Sequence, residues 1–289
     1  MKKEDPARLM LIISMVIFGT LSIFVRNIGI SSGELAFCRA AVASVLIGLM
    51  LALRKEKIAL PNGKGELVLL LISGAAMGFN WILLFQAYRF TTVSMATLSY
   101  YFAPVIVTFV STVALHEKLT ARRLVCFIMS SAGLVLMIGA RGGGGNDLTG
   151  ILLGLGAAVL YATVVLLNKL IKGVSGIHRT FLQFIAAAVV LLPYVLVTGG
   201  FTFEKLDGTG WICLLIVCTV HSFFAYCLYF SALKELPGVE VSILSYIDPL
   251  VAVLVSILFF REGMSWQQAV GGLCILVFTL LNEIGEEST

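Results

Sequence analysis

Ten hydrophobic stretches, each about 20 residues long, fill nearly all of the chain. A bilayer core takes about 20 apolar residues of helix to cross. The pattern therefore dictates an all-α integral membrane bundle and leaves no length for a soluble catalytic domain. The stretches fall at residues 9–26, 34–53, 66–88, 93–115, 123–140, 150–168, 180–198, 209–232, 239–260 and 265–282. Only 12% of residues are charged, roughly half the share in soluble domains.

The cations are unevenly placed. Fourteen Lys and Arg residues lie on one side of the expected membrane, and five (Arg26, Arg89, Arg141, Lys205 and Arg261) lie on the other. Arg39 sits inside a crossing and completes the twenty. The positive-inside rule then places both termini in the cytoplasm of a cell (inner) membrane protein. The same scatter over short loops gives no continuous basic face for nucleic acid. The first stretch has a basic start but an apolar run of about 17 residues, longer than a signal-peptide core, and is read as a retained helix. The six cysteines fall in or beside apolar runs without metal-ligand spacing, so they read as packing residues and no cofactor is expected.

The second five stretches echo the first five. Tyr101-Phe102-Ala103-Pro104 matches Tyr246-Ile247-Asp248-Pro249 at an offset of 145, and Phe85 with Ala87 meets Phe230 with Ala232 at the same offset. Glu117-Lys118-Leu119-Thr120 likewise meets Glu262-Gly263-Met264-Ser265. Earlier in each half the offset is 143 for Arg26 and Lys169 and 144 for Arg39 and Gln183. Five crossings per half force opposite orientations, so the expected architecture is ten transmembrane helices as two inverted five-helix repeats. The division is 1–141, a connector at 142–149, and 150–289. The glycines at 142–145 lack the Gly-Lys-Ser/Thr of a phosphate loop and suit a flexible link.

With these features the chain resembles the EamA-type members of the drug/metabolite transporter superfamily. The resemblance covers the whole chain and rests on the two halves, the Pro-centred fourth and ninth helices, the Glu-centred turn after each, and Arg39 in the second helix. It implies a ten-helix bundle around a central cavity, lined by the first four helices of each half with the last of each half peripheral. It also implies export of amino acids, other small metabolites or drugs. Ala103 departs from the pattern, having no acid where the second half has Asp248.

Several residues are candidates for transport. Pro104 and Pro249 each remove a helical hydrogen bond near mid-membrane, freeing the carbonyls of Tyr100 and Ser245, and read as hinges, as a source of carbonyls for polar groups of the substrate, or as static kinks. Asp248 lies near the bilayer midplane, where an acid marks a function by default. It reads as a proton carrier, as the seat of a cationic group, or as a structural acid, with Ser245 one turn away as a hydrogen-bond partner. Arg39 has three readings: it holds a substrate carboxylate, pairs with Glu34 or Asp248, or snorkels to the interface. His221 reads as a proton relay or as a packing residue. Met77, Asn80, Trp81, Leu84 and Tyr88 share a helix face, which makes Asn80 and Trp81 cavity candidates beside Tyr101 and Tyr246. Tyr88 and Tyr229, near helix ends, suit the interfacial aromatic belt.

The sequence thus points to a secondary transporter rather than an enzyme, exporting a small molecule by alternating access with protons as the candidate coupling ion. A uniporter or exchanger of organic cations or nucleobases, and a channel or sensor, are the rivals. The partners are the lipid bilayer and a small-molecule substrate, with the chain a monomer or homodimer.

Overall fold

A computed structural model of the chain describes residues 4–114, 120–139 and 147–286. All regular elements among them are helical. Eight helices are long and apolar enough to cross a membrane: α1 Pro6–Val25, α2 Ser32–Leu53, α3 Gly63–Phe90, α4 Val93–Val113, α6 Asp147–Leu170, α7 Gly176–Thr198, α8 Gly208–Ala232 and α9 Glu240–Phe259. Two further helices complete the chain order, α5 Ala121–Gly139 and α10 Trp266–Glu286, the latter with a shorter apolar run over Trp266–Asn282. His116, Glu117 and positions 142–146 of the expected connector lie outside the described residues.

Local sequence sets the helix starts. Ser31 caps α2, accepting from the Glu34 N–H while the Glu34 carboxylate accepts from the Ser31 N–H, a capping box. Thr92 caps α4 through the Met95 N–H at 3.2 Å, and Asp207 caps α8 through the Gly210 N–H at 2.6 Å. The outer surface is apolar, with Val197 86% and Leu258 73% exposed, as lipid contact requires and water would not favour.

Polar and small residues tie the bundle together. The α3–α7 contact is close because Gly74 has no side chain: a Cβ there would sit 2.5 Å from that of Ala186 and 2.6 Å from the Gln183 carbonyl. Beside it, Gln183 Nε2 donates to Ser73 Oγ at 2.6 Å and to Asn168 Oδ1 at 2.8 Å. Helix α1 packs on α8 and α9, and α5 packs on α10.

Four spans are irregular, the α1 span being interrupted at Thr20, between Glu4–Gly19 and Leu21–Val25. The α4 span breaks at Tyr101 and Phe102, between helical segments Val93–Tyr100 and Ala103–Ala114. The α9 span breaks at Tyr246, between Gly238–Ser245 and Ile247–Leu254. Both first segments end on the residue whose carbonyl the following proline leaves without a helical donor. In α8 the turns over Val217–Phe224 widen to a π-helix, a form that recurs at functional sites.

Candidate functional site

The breaks in α4 and α9 face one another across a cavity of about 370 Å³. That volume falls at the small end of ligand pockets, which run from about 300 to 1,000 Å³. Helices α1, α2, α3, α4, α6, α8 and α9 line it. Helix α7 supplies no lining residue, a departure from the eight lining helices implied by the resemblance. Its inner face is spent on α2 and α3 instead.

Asp248 borders the cavity at the α9 break, and Tyr101 from the α4 break donates its hydroxyl to Asp248 Oδ2 at 2.7 Å. The two breaks are therefore joined by one hydrogen bond between unwound segments. Tyr246 lies beside Tyr101, ring centroids 6.2 Å apart, and Tyr100 packs on Tyr161 at 5.5 Å. Ser245 lines the cavity, but its hydroxyl donates to the Val241 carbonyl at 2.8 Å, not to Asp248.

Arg39 enters from the second turn of α2 and is 3% exposed. Its Nε donates to Ser222 Oγ at 2.8 Å, and its guanidinium carbon lies 4.4 Å above the Trp81 ring. Neither expected ion pair forms: Glu34 is engaged by Ser31 and Thr202, and Asp248 by Tyr101. Burial in the wall also sets Arg39 apart from a snorkelling side chain.

Other candidates take different places. Asn80 does not line the cavity; its amide donates to the Ala157 carbonyl at 2.6 Å, tying α3 to α6. His221 also lies off the wall, 3.4 Å from Thr20 Oγ1 and edge-on to Phe24 at 5.0 Å. Trp81 lines the cavity as the floor under Arg39. Pro104 borders the cavity, while Pro249 is buried behind it. Tyr88 and Tyr229, expected in the interfacial belt, are both wall residues, and Tyr88 is 6% exposed.

The cavity's two ends differ. At one end, Arg26 Nη1 donates to Glu262 Oε1 at 2.5 Å, its Nε to the Tyr88 carbonyl at 3.0 Å, and its Nη2 to the Thr91 carbonyl at 2.9 Å. Glu262 Oε2 accepts from the Val93 N–H at 2.9 Å and from Ser256 Oγ at 2.5 Å, and Phe260 stacks under the guanidinium at 4.5 Å. This clasp joins α1, the α3–α4 turn and the end of α9 directly beyond the wall residue Tyr88. At the opposite end of α1, Arg8 pairs with Glu240, and the cavity wall reaches Val241 next to it. The Arg8–Glu240 side chains are 45% and 24% exposed, against 23% and 14% for Arg26–Glu262. The Arg26 pair is the more buried of the two.

A membrane-embedded helical bundle around a cavity with an acid and a base in its wall has the build of a membrane transporter. The profile of the EamA-like transporter family matches residues 6–139 and 148–283, and the chain belongs to that family. A Bacillus subtilis (strain 168) protein, Uncharacterized transporter YxxF, is 29% identical over 293 residues, covering 99% of this chain and 93% of that protein. An uncharacterized transporter of Archaeoglobus fulgidus (strain ATCC 49558 / DSM 4304 / JCM 9628 / NBRC 100126 / VC-16) is 29% identical over 276 residues, 94% of each. A chain of known crystal structure superposes with a TM-score of 0.64 at 17% identity, over 97% of this chain and 99% of that one, and shares the fold.

Proposed function

We propose that the protein is a secondary transporter that exports a small metabolite or drug by alternating access, with protons as the coupling ion. In this reading all ten helices cross the membrane as two inverted five-helix repeats, residues 1–141 and 150–289, joined by 142–149. Both termini face the cytoplasm of the cell (inner) membrane. The paired helix breaks support the repeat, since Tyr100 and Ser245 end their segments at the sequence offset of 145.

The observation that carries the reading is the central cavity holding Asp248 and Arg39, clasped at the Arg26 end and reaching toward the Arg8 end. Asp248 is eight residues into α9. At ~1.5 Å per residue that is about 12 Å into a core of about 30 Å. The positive-inside count assigns the Arg8 end to the cytoplasm, so the cavity is placed to load from inside. Asp248 is the proposed proton carrier and Tyr101 its hydrogen-bond donor. The Tyr101 and Tyr246 breaks ahead of Pro104 and Pro249 are the proposed hinges.

The test is lumenal pH and counterflow in proteoliposomes as amino acids, nucleobases and organic cations are added, for wild type and Asp248→Asn. Saturable counterflow with a substrate-dependent pH change, the latter lost in the variant, is expected. Flux that neither saturates nor shows counterflow indicates a channel. An unchanged pH signal in Asp248→Asn removes Asp248 as the proton carrier.

A further inference from the structure

Arg39 is a buried cation with no ion-pair partner among the described residues. Among the described residues its guanidinium makes one hydrogen bond, from Nε to Ser222 Oγ, and no ion pair. A guanidinium carries five N–H donors, so the four on Nη1 and Nη2 are left without an acceptor among the described residues. A charge taken out of water is costly unless paired and hydrogen-bonded. Arg39 nevertheless borders the cavity at 3% exposure.

Its orientation is fixed from two sides. Trp81 holds the face at 4.4 Å, and Phe85 lies at 5.9 Å. Ser222 accepts from Nε and spends its own proton on the Val217 carbonyl at 2.8 Å, five residues back in the π-turn. With the guanidinium face and one edge set, the Nη edge is a preset fork, the geometry that matches a carboxylate through two parallel hydrogen bonds. Among the described residues no Lys or second Arg lines the cavity, so a phosphate dianion would be left with one counter-charge.

We infer that Arg39, oriented by Ser222 and Trp81, is the recognition site for a carboxylate on the substrate. The body of that substrate is compact and apolar or aromatic, lying against Tyr100 and Tyr226. This rests on the cavity being the transport site. Ser222 is a positioning residue that acts through Arg39.

The experiment uses the purified full chain. Trp211→Phe and Trp266→Phe remove the two lipid-facing tryptophans, so that Trp81 alone reports among the three. The probes are cyclohexanecarboxylate, its carboxamide, cyclohexylamine and cyclohexyl phosphate, none of which absorbs with tryptophan, together with a panel of straight-chain and aromatic carboxylates. A saturable change in Trp81 emission with carboxylates alone is expected. Arg39→Lys keeps the charge but loses the fork, and should weaken binding at least about tenfold, the effect of one charge-assisted hydrogen bond. Ser222→Ala should weaken it with helical circular dichroism unchanged, and Ser222→Thr should restore it. Equal binding of the amide, amine or phosphate, full affinity in Arg39→Lys, or silence across all carboxylates would overturn the inference. Carboxylate binding without counterflow would sink the transport reading and leave the subsite standing. Counterflow of a compound with no carboxylate, unaffected by Arg39→Lys, would do the reverse.

Discussion

Glu262→Gln should unfasten the Arg26 end of the cavity. The carboxylate accepts three hydrogen bonds, from Arg26 Nη1 at 2.5 Å, the Val93 N–H at 2.9 Å and Ser256 Oγ at 2.5 Å. Glutamine keeps one carbonyl oxygen, which can stay with Arg26. Its amide nitrogen then faces the Val93 and Ser256 donors as a third donor. Bonds to a charged group contribute ~1.5–3 kcal/mol each, but the pair is partly solvated and the Ser256 hydroxyl can turn to accept. A net loss of about 2 kcal/mol is therefore expected, or roughly 30-fold in the ratio of open to closed. The readout is labelling of Thr97→Cys, a wall position, by a membrane-impermeant thiol reagent in a background without the six native cysteines. Reagent added from the Arg26 side should react roughly 30-fold faster in Glu262→Gln than in the parent, when opening precedes reaction. Arg26→Gln should act in the same direction, and the double variant should fall short of the sum. Labelling within twofold of the parent in both single variants would refute the clasp as a seal.

Other expectations follow from single contacts. Tyr101→Phe leaves Asp248 without its 2.7 Å donor; at ~1.4 kcal/mol or more, the pH profile of counterflow should move by about one unit or more, and an unmoved profile would separate Tyr101 from any titration that governs transport. Gly19→Ala would place a Cβ 2.6 Å from the Asp248 carbonyl oxygen and 2.6 Å from Val251 Cβ, so thermal unfolding in detergent should report a loss of ~1–3 kcal/mol from overpacking. Asn80→Leu removes the 2.6 Å bond to the Ala157 carbonyl and should lower stability by ~1 kcal/mol in the same assay.

Much of the site's outline was legible along the chain because it follows local rules. Proline at mid-membrane marks a break, and the structure interrupts α4 and α9 ahead of Pro104 and Pro249. An acid and a base inside apolar runs mark a wet interior, and both Asp248 and Arg39 border the cavity. Contacts made between helices were not legible. Spacing along α3 puts Asn80 and Trp81 on one face, yet Asn80 turns to α6 while Trp81 meets Arg39. Position near a helix end suggested the lipid interface for Tyr88 and Tyr229; both line the cavity instead. Glu262 stood out as half of a repeated turn, but its partners come from α1, the α3–α4 turn and α9, which no spacing in one segment reveals. Ser222 reaches Arg39 from a π-turn, and a regular helical wheel does not describe that turn.

The π-turn of α8 also bears on how the two halves differ. Arg39 aligns with Gln183 at 144, but Phe85 aligns with Phe230 at 145, so the later half holds one surplus residue between those landmarks. An extra residue in a regular helix would rotate everything beyond it by about 100°. The widened Val217–Phe224 stretch lies within that interval, and each of its rings encloses one residue more than an α-helical ring. The surplus nevertheless enters earlier, because the capping residues Asn62 and Asp207 of α3 and α8 already stand 145 apart, so the π-turn is a separate irregularity of the later half. Deleting one residue there should give back an ordinary helix and strand Ser222 away from Arg39. The matching stretch of α3 is an ordinary helix, so the two halves differ here, and the turn found only in the later one presents Ser222 to the cavity's buried cation.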